Sequence, residues 1–159
     1  MDLLSLRKQY NLSQTDAATI VNMPLRTYIR YELDNNYGDP LKRETIIHKI
    51  QNGCEITEEK GVLSIEQITS TVRELLEEKY SDTVEFCYLF GSYAKGYATD
   101  KSDIDLCVST SLTGIKFVGL AELLRQRLHK KIDLIRLSNL NNNIDLVTEI
   151  MKDGIKIYG

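Results

Sequence analysis

Val84-Glu85-Phe86-Cys87-Tyr88-Leu89-Phe90-Gly91-Ser92-Tyr93-Ala94-Lys95-Gly96, followed by Ser102-Asp103-Ile104-Asp105-Leu106-Cys107-Val108, decides the reading of this chain. The β-branched and aromatic run 84–90 predicts a buried strand that stops at Gly91. Glycine there lets the chain turn sharply and lets backbone approach a phosphate with no Cβ in the way. Asp103 and Asp105 are expected inside a second apolar strand running on through Val108, where a side-chain period of two puts both carboxylates on one face. Carboxylate and phosphate oxygens are the hard ligands that magnesium takes. A Gly-Ser turn means little by itself, and an isolated Asp-X-Asp is more often a solvated strand end. In the order strand, Gly-Ser turn, short helix, strand with paired aspartates, they imply a site for a metal-bound nucleoside triphosphate.

These residues also carry a family resemblance. Gly91-Ser92, ten residues, then Asp103-X-Asp105 resembles the signature of the DNA polymerase beta-like nucleotidyltransferase superfamily, and the fuller wording resembles its minimal nucleotidyltransferase branch, over roughly Ser64 to Gly159. The resemblance implies that Gly91 and Ser92 grip the triphosphate of ATP and that Asp103 and Asp105 bind two magnesium ions. It also implies a third carboxylate on a neighbouring strand. Asp133, in the short apolar run Lys131-Ile132-Asp133-Leu134-Ile135, is the candidate, touching only the catalytic metal and helping to deprotonate the incoming hydroxyl. Lys95 would offset phosphate charge, and Tyr93 stands where many relatives carry arginine. Attack would fall on the α-phosphorus and release pyrophosphate.

Composition is that of an ordinary soluble protein: 159 residues, 42% hydrophobic, 27% charged, net charge −3. No run of about eighteen apolar residues is present to span a membrane. The opening residues Met1 to Lys8 lack the basic-then-apolar order of a signal peptide. Cys54, Cys87 and Cys107 share no metal-binding spacing, and the last two fall inside apolar strands as small core residues. A reduced, cytoplasmic chain is expected.

The first fifty residues read differently. Leu3 to Tyr10 is a short amphipathic run, and Ser13 is a good N-cap for a helix through Ala17, Ala18, Ile20 and Val21. Asn22 tolerates the left-handed conformation of a tight turn. Pro24 is expected in the first turn of a third helix reaching about Leu33, and a fourth carries Ile46, Ile47 and Ile50. This succession is a helix-turn-helix pattern, and Leu12-Ser13-Gln14 with Arg26-Thr27-Tyr28-Ile29-Arg30-Tyr31-Glu32 resembles the Xre and lambda-repressor-like class. Helical spacing turns Thr27, Tyr28 and Tyr31 inward. Leu25, Arg26, Ile29 and Arg30, with Gln14 nearby, form the outer face that would meet operator DNA. Residues 1–52 hold seven Lys and Arg against six Asp and Glu, a net of +1. So weak a charge predicts that a dimer, or a hetero-oligomer with a partner, supplies the rest of the grip.

Gly53 to Gly61 is polar and acidic and reads as linker. Ser64 with Gln67 signals a capping box opening a helix to Lys79, striped by Ile65, Ile68, Val72, Leu75 and Leu76. Further helices are expected over 115–128 and 144–152, around the Asp133 strand and before a closing strand. The fold expected is two-domain α+β: an all-α helix-turn-helix domain over 1–52, a linker over 53–63, and a small mixed-sheet α/β nucleotidyltransferase domain over 64–159. About a hundred residues leave no second domain to wall a small-molecule pocket, so the expected acceptor is a protein. As a family, minimal nucleotidyltransferases resemble the antitoxin halves of prokaryotic toxin–antitoxin pairs, which transfer AMP from ATP to a tyrosine of a HEPN-type ribonuclease toxin. The alternatives are a DNA-binding repressor that neutralises its partner by binding only, and a nucleotidyltransferase acting on a small molecule such as an antibiotic.

Overall fold

The computed structural model describes all of residues 1–159, and its contacts divide into two compact units, Met1–Glu55 and Ile56–Gly159. The first is purely helical: α1 (Leu3–Gln9), α2 (Gln14–Ile20), α3 (Leu25–Leu33) and α4 (Pro40–Gly53). Local chemistry sets their ends. Ser13 and Asp16 exchange bonds in a capping box at the start of α2, and Asn22 takes φ 55° in the turn that follows. Pro24 is the N-cap of α3 rather than a residue of its first turn, with ψ 136° keeping it extended. Leu3, Leu6, Ala17, Ala18, Val21, Tyr28, Tyr31, Ile46 and Ile50 make the core.

One buried residue of this unit was not expected. Glu32 is 7% exposed on α3. Arg7 grips its carboxylate with two bonds, of 2.8 and 3.0 Å, and Gln14 Nε2 donates a third at 3.0 Å. Arg7 also donates to the Leu12 carbonyl at 2.8 Å. The Arg7 guanidinium holds the Glu32 carboxyl below its usual range, against the opposing effect of burial. No helix in the chain is long and apolar enough to cross a membrane.

The second unit runs α5 (Ile65–Lys79), β1 (Val84–Phe90), α6 (Gly91–Lys95), β2 (Ile104–Thr110), α7 (Gly114–Leu128), β3 (Ile132–Arg136), a 3-10 turn (Leu137–Leu140), α8 (Ile144–Asp153) and β4 (Ile155–Tyr158). The sheet order is β3-β2-β1-β4; β1 is antiparallel to β2 and to β4, and β2 is parallel to β3. A parallel neighbour demands a long crossover, which α7 provides. One face of this four-stranded mixed sheet packs Cys87, Leu89, Ile104, Leu106, Val108 and Ile157 against α5 and α7. The other packs Phe90, Cys107 and Leu140 under Leu146, Val147 and Ile150 of α8. Ser64 and Gln67 form the expected capping box. Ile65, placed on the apolar stripe from its spacing, is 36% exposed, being the first residue of α5 and beyond the edge of the core.

Candidate functional site

Period-two alternation along β2 turns Ile104, Leu106 and Val108 to the α5/α7 face and Asp105 and Cys107 to the α8 face. The strand register then builds a row across the sheet. Phe90, the last residue of β1, pairs with Asp105, and Asp105 pairs with Asp133 on β3. Two carboxylates thus stand side by side on adjacent strands. Asp103 departs from its expected place inside the strand: the ladder starts at Ile104, whose N–H donates to the Lys131 carbonyl at 2.9 Å, so Asp103 is exposed in the approach to β2. Asp133 is likewise exposed, within β3.

The end of β1 brings the Gly-Ser turn to the same place. Gly91 has φ +71°, and a Cβ there would collide with the Asp105 carboxylate. Glycine is therefore required by its protein neighbour, whatever phosphate later approaches. Ser92 follows on α6, half-buried. Tyr93 turns into the main core at 3% exposure, so its ring serves packing rather than the open side of the site. Lys95 reaches across to α8, where its Nζ donates to Glu149 Oε1 at 2.6 Å. No sequence spacing linked these two residues: Glu149 lies in a distant helix whose pattern announces only an amphipathic face.

Electrostatics single out Asp105. Burial pushes its carboxyl up to about 6, Asp133, Asp103 and Glu149 add to the rise, and Lys95 opposes it. Carboxylates crowded this way, with one nearby lysine to balance them, are a hard-oxygen donor set short of positive charge, which fits a divalent cation. No three acidic, histidine or cysteine side chains stand close enough to hold an ion unaided. That suits magnesium, which is usually held by one or two carboxylates together with substrate phosphates.

Leu25 is 42% exposed, Arg26 and Arg30 are exposed, and Ile29 is half-buried. The Gln14 amide is spent on Glu32.

Comparison with known proteins bears on the second unit. The family described as Polymerase beta, Nucleotidyltransferase matches residues 70–159. A candidate protein adenylyltransferase of Methanocaldococcus jannaschii is 33% identical over 87 residues, covering 52% of this chain and 85% of that protein. Protein adenylyltransferase MntA of Thermococcus cleftensis is 34% identical over 84 residues, covering 50% and 81%. Among solved structures, a crystal structure of a toxin–antitoxin with AMP-PNP aligns with TM-score 0.50 and 28% identity, over 57% of this chain and 73% of that one. All of this similarity to relatives and structures falls on about half of the chain.

Proposed function

The chain belongs to the polymerase beta nucleotidyltransferase family, and from that premise we propose that it is an antitoxin-type protein adenylyltransferase. It would transfer AMP from ATP to a tyrosine hydroxyl of a HEPN-type toxin and so neutralise it. The observation that carries this reading is the row Phe90, Asp105, Asp133, with Gly91 lying against the Asp105 carboxylate. Relatives named protein adenylyltransferases and the likeness to a toxin–antitoxin with AMP-PNP support the choice of acceptor class and nucleotide.

Asp103, Asp105 and Asp133 would hold magnesium, whose charge, when bound, polarises the phosphates. Gly91 and Ser92 would seat the terminal phosphates where β1 ends, and Lys95 would leave Glu149 to offset their charge. Asp133, exposed at the edge of the row, would accept the proton of the incoming tyrosine hydroxyl. The phenolic oxygen bonds to the α-phosphorus, the bond to the β-phosphate oxygen breaks, and pyrophosphate leaves. In the helical unit, α2 and α3 would act as a helix-turn-helix. Leu25, Arg26, Ile29 and Arg30, with Gln14 at the start of α2, would face operator DNA. A dimer or a hetero-oligomer with the toxin would supply further grip.

The test is intact mass of the partner, taken as the product of the adjacent gene, after incubation with this protein, magnesium and each nucleoside triphosphate. Adenylyl additions that vanish with Asp103→Ala support the proposal. A tight complex with no mass gain on the partner would sink it and favour neutralisation by binding alone.

A further inference from the structure

We propose that Lys130 is a positioning residue of the transfer site, tying Asp103 and Asp133 into one rigid frame. Its significance for catalysis rests on the nucleotidyl-transfer reading above. Lys130 is 0% exposed, between the end of α7 and the start of β3. An ammonium taken out of water costs several kcal/mol unless it is well bonded, so a lysine that serves only to fill the core would be a poor choice. This one is bonded to main chain. Its Nζ donates to the Asp100 carbonyl at 2.6 Å and to the Lys60 carbonyl at 3.3 Å. Asp100, Glu59 and Glu58 supply opposing charge.

Asp100 sits inside a turn closed by Ser102 N–H to the Thr99 carbonyl at 3.0 Å and by Thr99 N–H to Ser102 Oγ at 2.8 Å. The next residue is Asp103, and after it the Ile104 N–H binds the Lys131 carbonyl at 2.9 Å. Asp103 is therefore pinned on both sides by consecutive residues, by the Lys130 side chain before it and the Lys131 main chain after it. Two residues further on, the same segment delivers Asp133. Asp103, just before β2, and Asp133, within β3, thus share one anchor, and the second bond carries that anchor to the turn at Thr57–Lys60.

The experiment compares wild type, Lys130→Met and Asp100→Ala in the full chain. It reads amide hydrogen exchange, thermal midpoint, and pyrophosphate release with Mg-ATP and the adjacent gene's product. Methionine keeps the stem and removes the donors. The expected result is exchange about tenfold faster or more, confined to residues 99–104, and kcat lowered by about tenfold to a hundredfold with KM for ATP nearly unchanged. Asp100→Ala keeps the carbonyl and should leave exchange in the turn unchanged. If Lys130→Met does not fold, Lys130→Leu, which also lacks the donors, is read the same way. Unchanged exchange at 99–104, or loosening spread evenly over the sheet, would overturn the proposal. No pyrophosphate release by the wild type, together with the local exchange effect in Lys130→Met, would overturn the transferase reading and leave the anchor standing.

Discussion

Glu32 is buried in one unit and Asp105 half-buried in the other, and their surroundings treat the two carboxylates in opposite ways. Glu32 receives two bonds from Arg7 and one from Gln14, and its carboxyl is held below its usual range. Asp105 is surrounded by Asp133, Asp103 and Glu149, with Lys95 opposing, and rises to about 6. A buried acid whose bonds are met inside the protein is a structural part. One crowded by like charge is short of positive charge, and an acid perturbed in that way is a candidate for ligand chemistry.

The contrast is tested hardest at Asp105. Asp105→Asn keeps the shape and removes the charge, so transfer should fall about a thousandfold or more. In chelator-treated buffer the thermal midpoint should hold or rise, because like-charge crowding is relieved. A clear fall in midpoint would mean that Asp105 is stabilised as Glu32 is. Glu32→Gln should do the reverse, leaving Arg7 without its counter-charge and costing about 3 kcal/mol in urea denaturation of the full chain, with transfer unaffected. The pH dependences also run in opposite directions. Stability from Glu32 is present above its unfolded value of 4.5 and lost as pH falls through the lowered folded value. Stability from protonated Asp105 is complete below 3.8 and lost as pH rises through about 6. Midpoints measured against pH without metal should therefore lose their acid-side fall in Glu32→Gln and their fall on the way to neutrality in Asp105→Asn.

A smaller effect is expected at the turn. Gly91→Ala meets both a left-handed φ of +71° and the Asp105 carboxylate. It should cost about 2 kcal/mol and lower transfer; a neutral result in both assays would refute the close approach. Smallest of all is Glu149→Gln. The Lys95–Glu149 side chains are 27% and 33% exposed, so solvent screens the pair and its loss should barely move stability. The freed lysine should instead show itself as a lower KM for ATP.

Much of this was legible locally. The apolar run of β1, its stop at Gly91 and the Ser64–Gln67 capping box are decided by neighbours in sequence, and they stand where expected. Across-strand facts were not legible. That Asp105 faces Asp133 depends on register, which only the folded sheet sets. Asp103 falls outside β2 because the ladder begins with the Ile104–Lys131 bond, a contact no run of residues 102–108 encodes. Glu149 and Lys130 have no motif at all, since their partners are distant in sequence. Glu32 was hidden for the same reason, its burial being made possible by Arg7 two helices away.

The crossover between β2 and β3 has a consequence for how the site comes into being. Three of the four strands could be joined by antiparallel pairing, but Asp105 and Asp133 lie on the one parallel pair, with the whole of α7 between them. Such a pairing closes a long loop before any contact rewards it, which makes it an intrinsically slow step of folding. The acidic pair therefore does not exist in a chain that has paired only β1 with β2. During synthesis the mutual repulsion of the carboxylates is met only after the crossover helix has been made.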